Sequence, residues 1–290
     1  MTSTARTSNF AEGGLLVTGG SGALGRILRH HWDMVPQITW QSRTPAPGFR
    51  IFDPLTDEAA FAEAAQNVAA LYCLSGVTPA YHRRTGAPFS LNADLACAAI
   101  RAAEQGQARR VFLMSSAAVY GRATGRLQEE MPCTPVSDYG RAKLDMEEAA
   151  LALGRARNVP VTILRIGNVV GADAIVGGWH ADMALDCDGQ GNTPRRSYIG
   201  PAGLSRALAG LAQEKDLPDC INIAAGAPVA MGALLDEAGL PWTSRTPGAD
   251  VIWTVSLETV RLEKHVRFTP EERSLTGMVQ EWRRMEGGKK

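Results

Sequence analysis

The stretch Leu15-Leu16-Val17-Thr18-Gly19-Gly20-Ser21-Gly22-Ala23-Leu24-Gly25 decides the fold. A short β-rich run passes directly into glycines, and Leu24, Ile27, Leu28 and His31 follow at helical spacing. In such a strand–turn–helix unit Gly19 permits the sharp turn and Gly22 lets the backbone approach a pyrophosphate. Gly25 lets the helix pack closely on the sheet. The helix start, with Ala23 and Leu24, presents free N–H groups to phosphate. Glycine triplets also close purely structural turns; the position at the head of the fold favours the dinucleotide reading.

Outward from that unit the chain alternates. Compact apolar runs occur at 38–40, 50–52, 70–74, 111–114 and 161–164, separated by alanine-rich helical stretches at 58–66, 91–104 and 139–153. Short buried strands between helices predict an α/β fold, a Rossmann-type doubly wound parallel sheet. We divide the chain into an N-terminal tail (1–11), a dinucleotide-binding domain (12–168) and a small C-terminal substrate-binding region (169–290). Within the last, a helix at 202–213 and a strand at 221–223 are expected to rejoin the main body. Residues 171–197 read as a cap or loop region, and 270–285 as a charged amphipathic helix.

The 290 residues carry thirty basic and thirty acidic side chains. Neutrality removes the electrostatic reason to expect nucleic acid or an anionic membrane as partner. No run approaches the roughly 18 apolar residues that a spanning helix needs. The polar start lacks the apolar core of a signal peptide. Cys73, Cys97, Cys133, Cys187 and Cys220 are odd in number and form no CxxC pair. That usage argues against a disulfide framework and a structural metal and points to the cytoplasm.

The second strand bears on the choice of cofactor. A carboxylate at its end binds the ribose hydroxyls of NAD, whereas a cation accommodates the 2′-phosphate of NADP. Here the end reads Trp40-Gln41-Ser42-Arg43, with Arg43 18 residues after Gly25. Ser42 and Arg43 therefore predict NADP, with NAD the other candidate and a solvated arginine the plain alternative. Asp53, ending the third strand, is either an adenine contact or a turn-former before Pro54.

Tyr139-Gly140-Arg141-Ala142-Lys143 lies on a predicted helix, where a spacing of four puts Tyr139 and Lys143 on one face. Five tyrosines and five lysines in this chain would produce only about 0.09 such pairs by coincidence. A phenol titrates near ~10, and an adjacent ammonium favours its ionised form, making Tyr139 a candidate acid/base. Upstream, Ser115-Ser116-Ala117-Ala118-Val119-Tyr120-Gly121 ends a strand where an open α/β sheet binds ligand. Ser116 is placed to hydrogen-bond the reacting oxygen; a helix cap or turn is the alternative for both serines.

In combination these motifs resemble the extended short-chain dehydrogenase/reductase family, in its NAD(P)-dependent epimerase/dehydratase branch. The resemblance extends through Asn92, Leu164 to Gly171, Arg196 to Ile199, Ile221 to Ala224 and the Phe268-Thr269-Pro270…Trp282 tail. It implies a catalytic trio of Ser116, Tyr139 and Lys143. Lys143 would hold the nicotinamide ribose and depress the Tyr139 pKa. Asn92 and Ser115 would stand near the cofactor, lined by Leu74, Ser75 and Gly76. Asn168 and Arg196 would face the substrate, a sugar or sugar nucleotide, and the family often forms homodimers, here through helices 91–104 and 139–153.

Departures from the family pattern narrow the reaction. Ala117 and Ala118 stand where 4,6-dehydratases carry an Asp-Glu pair, which argues against dehydration. Ala117 also replaces the cysteine of reductase-epimerases. Only 28 residues separate Asn168 from Arg196, so a smaller sugar or carbonyl substrate is in play. Trp179 and His180 in this segment are candidates to meet a ligand or simply to pack. Arg83 and Arg84, read as a loop after the fourth strand, either meet an anion or stay solvated. The leading expectation is an oxidoreductase acting on a sugar-like alcohol or ketone. The alternatives are a nucleotide-sugar 4-epimerase with tightly bound NAD, and a non-catalytic NADP-sensing protein.

Overall fold

In a computed structural model, residues 13–32 and 37–287 are described; the expected tail at 1–11 lies outside them. The strands of the main sheet are β1 (Leu15–Thr18), β2 (Ile38–Ser42), β3 (Arg50–Ile51), β4 (Ala70–Cys73), β5 (Val111–Ser116), β6 (Val161–Ile166) and β7 (Cys220–Ile223). They pair in the order β7-β6-β5-β4-β1-β2-β3, all parallel. The order reverses between β1 and β4, which opens a crevice at their carboxyl ends.

The alternation of side chains along each strand builds two cores. Leu15, Val17, Tyr72, Phe112, Leu164 and Ile221 face one side. There they meet α1 (Ala23–His31), and Leu16, Leu71, Leu113 and Ile163 face the other. That second side is covered by α2 (Glu58–Ala64), α4 (Leu91–Gly106) and α5 (Asp138–Ala156), which contribute Phe61, Ile100 and Met146. The first side is completed by α6 (Pro201–Leu211), α7 (Met231–Glu237) and, beyond the four-residue α8 (Val260–Glu263), α9 (Leu275–Gly287). Met278 and Val279 of α9 are buried in the same core as β1 and α1, so the C-terminal helix packs into the main body.

The segment expected as a loop at 83–84 is helical: α3 spans Pro79–Thr85. The Thr78 hydroxyl accepts the Tyr81 N–H at 3.2 Å, Pro79 occupies the first turn, and Gly86 ends the helix at φ 72°. Those are the usual start and stop signals. Residues 171–197 are loop-rich as expected, with short strands at Ala184–Asp186 and Arg195–Arg196.

Candidate active site

The glycine loop joins β1 to α1 at the crevice. Gly19 has φ +70°, and a Cβ there would lie 2.7 Å from the Ser75 backbone nitrogen. At Gly25 a Cβ would fall 2.3 Å from the Gly20 carbonyl oxygen. A side chain at either position would therefore push the loop or the helix off the sheet. Gly22 caps α1 without a side-chain cap, and the first turn carries no acidic residue. The N–H groups of that turn, including Ala23 and Leu24, are thus left for an anion. This cradle fits a dinucleotide pyrophosphate.

A residue that sequence reasoning passed over holds the loop in place. The Gln41 Oε1 accepts the Gly19 N–H at 2.9 Å and its Nε2 donates to the Phe52 carbonyl at 2.6 Å. Its own carbonyl accepts the Gly20 N–H at 3.0 Å. Beside it Ser42 is buried, taking the Thr44 N–H at 3.1 Å and contacting the Ser21 hydroxyl at 3.4 Å. Arg43 projects into solvent, donates to the Tyr81 hydroxyl at 3.1 Å and lies 3.9 Å from the Asp53 carboxylate. Asp53 also accepts the Leu55 N–H at 2.9 Å, the turn-forming role.

Ser116, Tyr139 and Lys143 meet across β5 and α5. The Tyr139 ring is half-buried, held edge-on by Phe89 at 5.7 Å between centroids. Burial pushes its phenol up to about 12, against a hydrogen bond from Ser116 that acts downward. Lys143 is buried, and its Nζ donates to Asn92 Oδ1 at 2.9 Å and the Met114 carbonyl at 2.8 Å. It lies 5.9 Å from the Tyr139 ring centroid. The expected depression of the tyrosine pKa by Lys143 is therefore not met here: Ser116 alone lowers it. Lys143 is itself lowered to about 8, because burial outweighs the opposing influence of Cys73 and Glu147.

Asn92 fixes this arrangement. Its Oδ1 also accepts the Val77 N–H at 3.1 Å, and its Nδ2 donates to the carbonyls of Val77 and Phe89. All its polar capacity is thus spent on the protein, tying Lys143 to the segment after β4. There Leu74 packs on the core, the Ser75 backbone faces Gly19, and Gly76 faces Asn92 and Lys143.

Ser115, expected at the cofactor, points elsewhere: its hydroxyl donates to Glu147 Oε1 at 2.5 Å. Glu147 lies on the face of α5 that carries Tyr139 and Lys143, two turns on. It forms a buried ion pair with Arg165 at 2.7 Å, the β6 residue in register with Ser115. Burial opposes the arginine's charge, yet the hydrogen bonds and charge of Glu147 hold its pKa above the usual value. Arg165 also donates to the Tyr120 hydroxyl at 3.1 Å, and Tyr120 donates to Asn222 Oδ1 at 2.8 Å. Asn222 takes Glu129 Oε1 on its N–H at 2.9 Å. The sequence signal was Arg165, a charge inside an otherwise apolar strand, which demands a buried partner.

Toward the C-terminal region, Asn168 lies on a short strand paired with Tyr198–Ile199. The Tyr198 hydroxyl donates to the half-buried Asp173 carboxylate at 3.2 Å. Arg196 is half-buried, and burial lowers its pKa. Its guanidinium donates to the carbonyls of Arg195 and Trp253 and makes no ion pair among the described residues. Trp179 packs against the core and spends its indole N–H on the Pro241 carbonyl at 2.9 Å, while His180 is exposed. Among the described residues no helix is long and apolar enough to cross a membrane, and no group of side chains is arranged to hold a metal.

No curated protein matches the chain. Among solved structures, MoeE5 in complex with UDP-glucuronic acid and NAD is similar over 94% of this chain and 99% of that one, with a TM-score of 0.74 and 21% identity. UDP-glucuronic acid 4-epimerase from Bacillus cereus, bound to UDP-glucuronic acid and NAD, gives a TM-score of 0.75 at 16% identity over 94% and 99%. The dTDP-glucose 4,6-dehydratase DesIV from Streptomyces venezuelae gives 0.72 at 19% identity over 94% and 98%. At these identities the likeness establishes the Rossmann-type fold. Residues 15–183, more than half of the chain, match the model of the NAD dependent epimerase/dehydratase family. The chain belongs to that family of extended short-chain dehydrogenase/reductase enzymes.

Proposed function

We propose that this protein is an NADP(H)-using oxidoreductase that interconverts an alcohol and a ketone on a sugar or sugar nucleotide. The observation that carries the reading is the convergence of Ser116, Tyr139 and Lys143 at the carboxyl end of β5, beside the glycine cradle. A nicotinamide bound there supplies the hydride donor or acceptor. Tyr139 moves the proton at the substrate oxygen, and Ser116 turns its single hydroxyl hydrogen from the phenol to that oxygen. Lys143, its pKa lowered to about 8 and its ammonium fixed by Asn92, would hold the sugar of the nicotinamide nucleotide and replace the phenol's proton. A phenol held at about 12 is protonated at neutral pH, the form that donates to a carbonyl oxygen.

Arg43 supports NADP, since no carboxylate ends β2 to claim the ribose hydroxyls. Arg196, a half-buried cation with no acid beside it, supports an anionic substrate such as a phosphorylated sugar or nucleotide sugar. Pairing of two copies through α4 and α5 belongs to the same proposal. A 4-epimerase is the second reading, favoured by the nucleotide-sugar epimerase among the similar structures. An assay of NADPH absorbance against a panel of keto sugars and nucleotide sugars separates the two. Net oxidation of NADPH by at least one of them is the expected result. Isomerised product with no net absorbance change would replace the first reading with the second.

A further inference from the structure

Two arginines converge on one tyrosine beside the end of β2. Arg43, from the end of β2, donates its Nη2 hydrogen to the Tyr81 hydroxyl at 3.1 Å. Arg84, one helical turn after Tyr81 on α3, stacks its guanidinium carbon 5.3 Å from the centroid of the same ring. Asp53 lies 3.9 Å from Arg43 and partly neutralises it. Arg84 makes no ion pair among the described residues. Arg43 alone, shared with a carboxylate and 61% exposed, would discriminate poorly between a phosphate and a hydroxyl. A second cation with no acid of its own restores a net positive charge at this point, and the tyrosine hydroxyl limits the freedom of the first.

We propose that α3, which lies outside the glycine motif and the Tyr–Lys pair, completes the subsite for the 2′-phosphate of NADP. Tyr81 positions Arg43 through its hydroxyl, and Arg84, aligned on the Tyr81 ring, is the second phosphate cation. The inference rests on the NADP reading above. It assigns selectivity to a helix that begins six residues after β4 ends.

Equilibrium fluorescence titration of the whole protein with NADPH and with NADH tests it, without any need for a substrate. Wild type binds NADPH more tightly. Arg84→Gln weakens NADPH by about fivefold, the upper range for an exposed charge pair, and leaves NADH within about twofold. Tyr81→Phe, which keeps the ring and removes the hydroxyl, weakens NADPH by about threefold through the loosened Arg43. Arg84→Lys, which keeps the charge, recovers part of the loss. Arg43 and Arg84 are exposed and Tyr81 is half-buried, and a thermal melt of each variant verifies the fold. If Arg43→Gln erases the preference while Tyr81→Phe and Arg84→Gln bind as wild type does, the role of α3 is overturned and the NADP reading stands. If wild type binds NADH more tightly than NADPH, both fall.

Discussion

Tyr139→Phe lowers turnover by roughly a hundred- to ten-thousand-fold, the usual worth of positioned proton transfer, and leaves affinity for the nicotinamide nucleotide within about twofold. The split follows from where the hydroxyl sits. It contacts Ser116 and, in the proposed reaction, would meet the reacting oxygen, whereas the ring is held independently by Phe89. Removing one oxygen should therefore leave the packing of α5 and the Lys143–Asn92–Met114 contacts in place. Steady-state rates with the best substrate of the panel, together with NADPH titration, provide both readouts. Equal loss of binding and rate would mean that the tyrosine is structural. Unchanged turnover would remove it from the chemistry.

The second large effect concerns stability. Arg165→Met leaves Glu147 buried beneath α5 with only the Ser115 hydroxyl among its present donors. An uncompensated buried charge costs about 3–5 kcal/mol, and for a chain of this size the melting temperature should fall by roughly 10 °C. In the double variant Glu147→Leu/Arg165→Met both charges are gone, so most of that loss should be recovered. Recovery stays incomplete because Arg165 also serves the Tyr120 hydroxyl and the Glu129 carbonyl. Thermal melts of the single and double variants measure the coupling. A double variant as unstable as Arg165→Met would show that the cost lies in lost packing rather than in the orphaned carboxylate. Loss of Glu147 also removes one of the two groups that hold the Lys143 pKa up, so that pKa should drop below about 8 in Glu147→Gln.

Why some of this was legible and some not has physical reasons. The glycine loop is readable because the constraints on it are local: Gly19 needs positive φ, and Gly25 must approach its own turn. Tyr139 and Lys143 are readable because helical periodicity alone puts them on one face. Gln41 was not, since a glutamine at the end of a strand carries no signal until the fold brings Gly19 and Phe52 to its two ends. The contact of Ser115 with Glu147, in place of the expected one with the cofactor, was not readable for the same reason, the two lying 32 positions apart in sequence. The orientation of Lys143 toward Asn92 and Met114 rather than toward the phenol depends on three segments meeting. By contrast α3 was within reach: Thr78-Pro79 and Gly86 are ordinary helix boundaries, hidden only by the shortness of the seven residues between them.

The proposed function requires an exchangeable NADP(H) site serving net redox turnover. Native mass spectrometry of the freshly purified protein, before and after addition of NADPH and NADH, tests it most directly. The expected result is a chain that carries no stoichiometric nucleotide as isolated, takes up NADPH in preference to NADH, and releases it on buffer exchange. Stoichiometric NAD retained through purification would contradict it, and would instead mark a cofactor kept in place through a closed oxidation–reduction cycle.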